Sequence, residues 1–274
     1  METNKIYQGD CLELMKKIES NSVNCIITDP PFGCNATLKG NYNDDESFIK
    51  TQIPLWLSEM QRVLKENGHI YVYVPTKYID NWLPTFRKHF KFNNILVCNN
   101  MKKGVKHPNL FRNNYQMILY GSKGRARNFN KVDWILTSDS WFYDKRNIKP
   151  SRYLYEYPAF IPPYFKATVE ESVGHPDEKN KELIKNLIKI STDEKDLILD
   201  CFIGSGTVAV ACKNTNRRFL GFEISEEYCK IANERIQKEL SQTKLNSEEV
   251  KQEAMQSEAR HSSQAVLGIL PNFI

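Results

Sequence analysis

The sequence predicts an α/β fold built on a doubly wound parallel sheet. Three observations carry that prediction. Strand-like and helix-like segments alternate at both ends of the 274-residue chain. Several of the strand-like segments, "VNCIITD" (23–29) and "DLILDCF" (196–202) among them, are continuous apolar runs, the pattern of strands covered on both faces. A tight turn, "GSG" (204–206), joins one such strand to a helix, as at the ligand-binding turn of nucleotide-binding sheets.

The elements follow in order. "NKIYQGD" (4–10) is a short strand ending in Gly-Asp, and residues 11–20 form a helix with Leu12, Met15 and Ile18 at helical spacing. After the strand at 23–29, residues 31–47 are polar, with Gly and Asn, and read as a loop. Residues 48–68 read as a helix with Leu57, Met60 and Leu64 on one face and Gly68 as its stop signal. "HIYVYVP" (69–75) is a strand, 77–90 a helix and "FNNILVC" (92–98) a strand again. Residues 99–113 show no periodicity, and "YQMILYGSK" (115–123) has an apolar strand at its centre. No elements are assigned over 122–165, where basic residues mix with Phe129, Trp134, Trp141, Phe142, Tyr143, Tyr153, Tyr155 and Tyr157. Regularity returns with a helix over 175–191, the strand at 196–202, a helix opened by Thr207, a strand ending in Glu223 and an amphipathic helix over 226–240. From Ser241 the chain is rich in Gln, Ser, Glu and Lys, and is expected to hang off the domain.

Composition narrows the class. Hydrophobic residues make up 41% of the chain, enough for a full-sized core. No stretch approaches the ~20 consecutive apolar residues of a membrane span, and "METNKIYQGD" lacks the apolar centre of a signal peptide. A soluble, cytoplasmic protein without a membrane partner is expected. The seven cysteines form no C-x-x-C pair and the five histidines no H-x-x-x-H spacing, so neither a disulfide framework nor a metal site is expected. Charge is uneven: residues 99–152 hold twelve Lys/Arg against three Asp, while the remainder holds 26 against 30 acids. A basic centre in a near-neutral chain suits a polyanion, or a solvated loop.

Two motifs carry chemistry. In "LDCFIGSGTVAVAC" a strand ends at Asp200, Gly204 and Gly206 make the turn, Thr207 opens a helix, and the next strand ends in the acid Glu223. An acid so placed hydrogen-bonds ribose hydroxyls in nucleotide-binding sheets. The third glycine of the dinucleotide fingerprint is absent and there is no G-K-[ST], so a nucleoside with little or no phosphate fits better. S-adenosylmethionine is such a ligand. The other motif is Asp29-Pro30-Pro31-Phe32, where a buried strand ends abruptly at an acid and a stiff pair of prolines.

Together these motifs resemble those of the DNA amino-methyltransferases, whose catalytic signature is [D/N/S]-P-P-[Y/F] and whose cofactor signature is F-x-G-x-G, here Phe202 to Gly206. The order, catalytic motif first, variable basic region next and cofactor motif last, is similar to that of the β group. "GHPDEKNKELIKNLI" resembles the family's H-P-T-Q-K-P helix at His175, Pro176 and Lys179, and departs from it at Asp177, Glu178 and Asn180. "FRNNYQMILYGSKG" resembles F-R-x-x-H-E-x-I-L, with Tyr115 and Gln116 in place of His-Glu. The resemblance implies a circularly permuted Rossmann-like methyltransferase sheet with an inserted DNA-recognition region. The strands at 196–202, 218–224 and 4–10 would be successive neighbours, with the strand ending in Asp29 on the other side of the glycine-turn strand. The implied division is a catalytic half (1–121), a target-recognition region (122–165), a cofactor-binding half (166–240) and a tail (241–274).

The resemblance also implies roles. An exocyclic amine is a weak nucleophile because its lone pair is delocalised into the ring. Asp29 would accept one N–H and the Pro30 carbonyl the other, with Pro31 stiffening the backbone and Phe32 stacking on the base. The base must first be flipped out of the duplex. Asp10, Asp29, Lys179, Asp200, Phe202, Gly204, Gly206, Thr207 and Glu223 would line the cofactor site. Asp10 is equally readable as a helix N-cap, Lys179 as a surface lysine, and Asp200 as a residue that orders the glycine turn. Lys123, Arg125, Arg127, Lys131, Lys145, Arg146 and Lys149 are the candidate contacts to double-stranded DNA. "IPPYF" (161–165) lacks an acid or amide before its prolines and is not taken as a second catalytic motif. The family adds a cognate restriction endonuclease and a homodimer as open partners. Asp29 favours the N6 amine of adenine, since N4-cytosine enzymes usually begin the motif with serine. A non-catalytic DNA-binding protein on the same fold is the rival of another class.

Overall fold

Strands of the computed structural model are numbered β1 to β8 in chain order; it describes residues 1–32, 45–99, 115–130, 164–166, 181–239 and 241. The apolar runs form one eight-stranded sheet: β1 (Lys5–Gln8), β2 (Val23–Thr28), β3 (Leu64–Val74), β4 (Lys91–Asn99), β5 (Tyr115–Ser122), β6 (Tyr164–Lys166), β7 (Leu197–Asp200) and β8 (Arg218–Glu223). Its spatial order is β1-β8-β7-β2-β3-β5-β4-β6. β2 pairs in parallel with both β7 and β3, and β8 pairs in parallel with β1 and β7, as the permuted order requires. β5 runs antiparallel between β3 and β4. A strand covered on both faces has the same apolar pattern whichever way it runs, so the direction of this strand was not set by the sequence reading.

Six helices flank the sheet among the described residues: α1 (Cys11–Met15), α2 (Glu46–Val63), α3 (Ile79–His89), α4 (Lys181–Ser191), α5 (Thr207–Asn214) and a helix over 226–239. Alternate strand residues face opposite layers. Ile70, Val72 and Val74 of β3 with Leu197 and Leu199 of β7 pack under α1–α3 through Met15, Trp56, Leu57 and Met60. Tyr71, Tyr73 and Ile198 pack under α4, α5 and the 226–239 helix through Leu187, Ile188, Ala209 and Ile236. Two covered faces explain why the central strands are apolar throughout.

Two boundaries differ from the sequence reading. Helix α1 ends at Met15, where Lys17 and Ile18 donate N–H bonds only three residues back, the tightened last turn of a short helix. Helix α2 ends at Val63, five residues before Gly68. β3 begins at once with Leu64, and Asn67, at φ 66°, turns the chain. Gly68 serves close packing here: a Cβ would lie 2.8 Å from Leu64 Cδ1 and 2.9 Å from the Asn24 carbonyl.

Candidate active site

The carboxyl ends of β1, β8, β7 and β2 are neighbours, and an acid follows or closes each: Asp10, Glu223, Asp200 and Asp29. The crevice of a doubly wound sheet lies at this rim, where the connections reverse direction. Here β7 carries the glycine turn and β2 carries Asp-Pro-Pro-Phe, so motifs far apart in sequence become adjacent.

The glycine turn is built by hydrogen bonds to these acids. Glu223 Oε2 accepts the Gly204 N–H at 3.0 Å, and its Oε1 accepts the Ser225 N–H at 2.8 Å. Burial raises the Glu223 carboxyl above its ordinary range. Gly204 at φ 50° and Gly206 at φ 84° adopt the left-handed conformation. A Cβ at 206 would lie 3.0 Å from Ala232 Cβ, so this glycine seats the turn on the 226–239 helix. Arg235 of that helix donates to the Ser205 hydroxyl at 3.2 Å and the Thr207 hydroxyl at 3.1 Å. Phe202 meets Trp56 edge to face, with ring centroids 4.9 Å apart.

Asp200 is buried, and its Oδ1 accepts from the Thr28 hydroxyl at 2.9 Å and the Phe202 N–H at 3.1 Å. Its carboxyl is pushed up to about 7 by burial, with Asp29 and Glu223 adding to the rise. Asp200 therefore orders the turn. Asp10 caps α1, its Oδ1 accepting from Leu12 N–H at 2.9 Å and Glu13 N–H at 3.1 Å; the capping role that the sequence left open is the one observed. Asp29 is half-buried beside Asp200, Pro30 is buried, and Pro31 and Phe32 are partly exposed. Burial lifts the Cys201 thiol far above its ordinary value and that of Cys229 to about 11. A carboxylate and a stiff proline pair beside a glycine turn can hold two reactants against each other without a covalent step.

A DNA methylase family model matches residues 23–234. The chain belongs to this DNA methylase family. Its relatives include the type II methyltransferase M.HpaI of Haemophilus parainfluenzae, 27% identical over 243 residues, covering 86% of this chain and 75% of its own. The DNA adenine methyltransferase YhdJ of Escherichia coli strain K12 is 29% identical over 249 residues, covering 86% of this chain and 83% of its own. Among solved structures, the M1.HpyAVI–SAM complex aligns with TM-score 0.59 at 22% identity, covering 84% of this chain and 98% of its own. The cytosine-N4-specific PvuII DNA methyltransferase aligns with TM-score 0.64 at 17% identity, covering 83% and 84%. These structures share the fold of the family with this chain.

Within this methylase fold, Asp10, Asp29, Asp200, Phe202, Gly204, Gly206, Thr207 and Glu223 meet along one rim. Lys179, Lys131, Lys145, Arg146 and Lys149 lie outside the described residues. Lys123, Arg125 and Arg127, candidate DNA contacts in the sequence, are among the described residues. Because β5 is antiparallel, they follow its end at the opposite rim, where the parallel strands begin. There Lys123 Nζ donates to the Leu64 carbonyl at 3.0 Å and pairs with Glu66 at 3.4 Å. Arg127 pairs with Asp193 at 2.8 Å and Asp196 at 3.5 Å. Arg125 is exposed on the same strap. Phe129 stacks 5.2 Å from the buried His69, and Asn130 donates to the Lys189 and Thr192 carbonyls. These bonds fasten residues 123–130 to the core, away from the crevice. Thr28 and Arg235 escaped the sequence reading; a hydroxyl at the end of an apolar run and an arginine on an amphipathic helix carry no distinctive spacing. Among the described residues no helix is long and apolar enough to cross a membrane, and no cluster of three His, Cys, Asp or Glu side chains is placed to hold a metal.

Proposed function

We propose that the chain transfers a methyl group from S-adenosylmethionine to the N6 amine of a flipped adenine in duplex DNA. The observation that carries the reading is Asp29, followed by Pro30 and Pro31, at the carboxyl end of the strand next to the glycine turn. The donor set suits the cofactor: carboxylates, a glycine turn and an aromatic edge answer a cationic nucleoside better than a polyphosphate. When bound, S-adenosylmethionine supplies a methyl group already activated by its sulfonium. The chain's own residues do the rest. Asp29 and the Pro30 carbonyl accept the two amine N–H bonds, which favours the lone pair's turning toward the methyl carbon. With that cofactor bound, Asp29 and the Pro30 carbonyl would hold the amine nitrogen in line with the methyl group, and the proton the amine gives up would leave through the Asp29 carboxylate to water. Glu223 holds ribose hydroxyls, and Asp200 keeps the turn in shape.

DNA contact is assigned to Lys131, Lys145, Arg146 and Lys149 of the basic segment. The type II names among the relatives support a restriction–modification setting. A cytosine-N4 reading is the second one, favoured by the likeness to the PvuII enzyme; the acid at position 29 weighs for adenine.

Duplex DNA incubated with S-adenosylmethionine and the protein, then digested to nucleosides, is expected to yield N6-methyladenine. N4-methylcytosine would replace the first reading with the second. Asp29→Ala is expected to lower turnover by at least about 10²-fold, the scale of one preorganised electrostatic contact, with DNA affinity retained. Near wild-type turnover would remove Asp29 from the chemistry.

A further inference from the structure

We propose that Thr28 is a positioning residue, whose hydroxyl locks the strand bearing Asp29 to the strand bearing the cofactor turn. Backbone pairing between β2 and β7 joins Cys25 to Ile198 and Ile26 to Leu199. Among the described residues it goes no further toward the crevice. Two residues on, the Thr28 side chain takes over the task of the ladder. Its hydroxyl donates to Asp200 Oδ1 at 2.9 Å and accepts the Cys201 N–H at 3.2 Å. Asp200 Oδ1 in turn accepts the Phe202 N–H at 3.1 Å. One side chain thus ties residues 200 to 202, which open the turn, to the residue immediately before Asp29. The bond spans a sequence separation of 172 residues.

Burial makes this tie durable. Thr28 is 1% exposed and Asp200 4% exposed, so water cannot replace either bond. In a reaction that depends on alignment, a misplacement of about 1 Å costs about 10²-fold in rate. The catalytic acid and the cofactor turn belong to different strands, and their spacing at the crevice is set where the backbone pairing has ended. Threonine's hydroxyl holds that spacing, while its methyl group merely fills the wall. The inference rests on the reading of Asp29 as the amine's acceptor.

Two substitutions separate the hydroxyl from the shape. Thr28→Val keeps the branched outline and removes the donor and acceptor; Thr28→Ser keeps the hydroxyl and removes the methyl group. The measurements are S-adenosylmethionine affinity by titration calorimetry, kcat and KM on duplex DNA, and the pH dependence of cofactor affinity. Thr28→Val is expected to lower kcat about 10²-fold and weaken cofactor binding about 10-fold, with KM for DNA within about twofold. Thr28→Ser is expected to stay within about threefold of the unmodified protein in both, because the hydroxyl supplies hydrogen bonds that packing cannot. The Thr28 hydroxyl favours the charged form of Asp200. Its loss is therefore expected to move the pH midpoint of cofactor affinity upward in the Val variant. Unchanged kcat and cofactor affinity in Thr28→Val would overturn the proposal. So would a Ser variant as impaired as the Val variant, which would assign Thr28 to packing. The Ser variant is decisive by itself if the Val variant cannot be purified. Should Asp29→Ala still methylate DNA, the reading of Asp29 fails, while the effect of Thr28→Val on cofactor affinity still stands to be measured separately.

Discussion

Asp200 is a buried carboxyl held by two donors on one oxygen, flanked by the acids of the adjoining strand ends. Burial moves it from 3.8 to about 7. A carboxyl that binds its proton more tightly in the folded state contributes stability at low pH and loses it as pH rises between those two values. Asparagine at 200 keeps the accepting oxygen and discards the charge. Thermal unfolding of the cofactor-free Asp200→Asn variant is accordingly expected to gain on the unmodified protein as pH rises from about 4 to about 7, by at most about 4 kcal/mol. A gap that stayed constant across that range would deny Asp200 its shifted titration. At this scale the sequence was readable wherever a residue belonged to a spaced motif, as Asp29, Gly204 and Glu223 do. Thr28 was not readable, because its meaning comes from Asp200 and Cys201 across the crevice, and no local pattern announces that meeting.

At the scale of elements, the strand order was legible because continuous apolar runs and the permuted motif order leave few arrangements. The direction of β5 was not, since its Ile118, Leu119 and Tyr120 are buried as deeply as residues of a parallel strand. That direction decides where the basic strap goes. Charge counted along the chain grouped Lys123 and Arg127 with the DNA-facing residues. Charge in space pairs Arg127 with Asp193 and Asp196, 66 and 69 residues away. The double variant Lys123→Gln, Arg127→Gln is expected to leave unchanged the slope of DNA affinity against salt. Its thermal stability should fall by about 1–3 kcal/mol through lost hydrogen bonds. A slope reduced by nearly 0.9 for each residue would instead mark both as phosphate contacts.

At the scale of the whole molecule, a sheet with helices on both faces gathers four strand ends, and hence Asp10, Glu223, Asp200 and Asp29, at one rim, the one proposed to receive both reactants. An anionic rim repels the phosphates of DNA and attracts a cation, over the roughly 8 Å that charges reach at physiological salt. The methyl donor is cationic at sulfur and the product of transfer is a neutral thioether. Loading therefore has a preferred sequence in time, donor before duplex, and by reciprocity each strengthens the other's binding. Duplex affinity measured with a non-reactive cationic analogue of the cofactor is expected to exceed that measured with the thioether product severalfold; equal affinities would deny the rim this role. Once the sulfonium charge is gone, the acids of the rim that remain ionised would face the phosphates uncompensated, so that a rim suited to the donor would also favour release of the methylated strand.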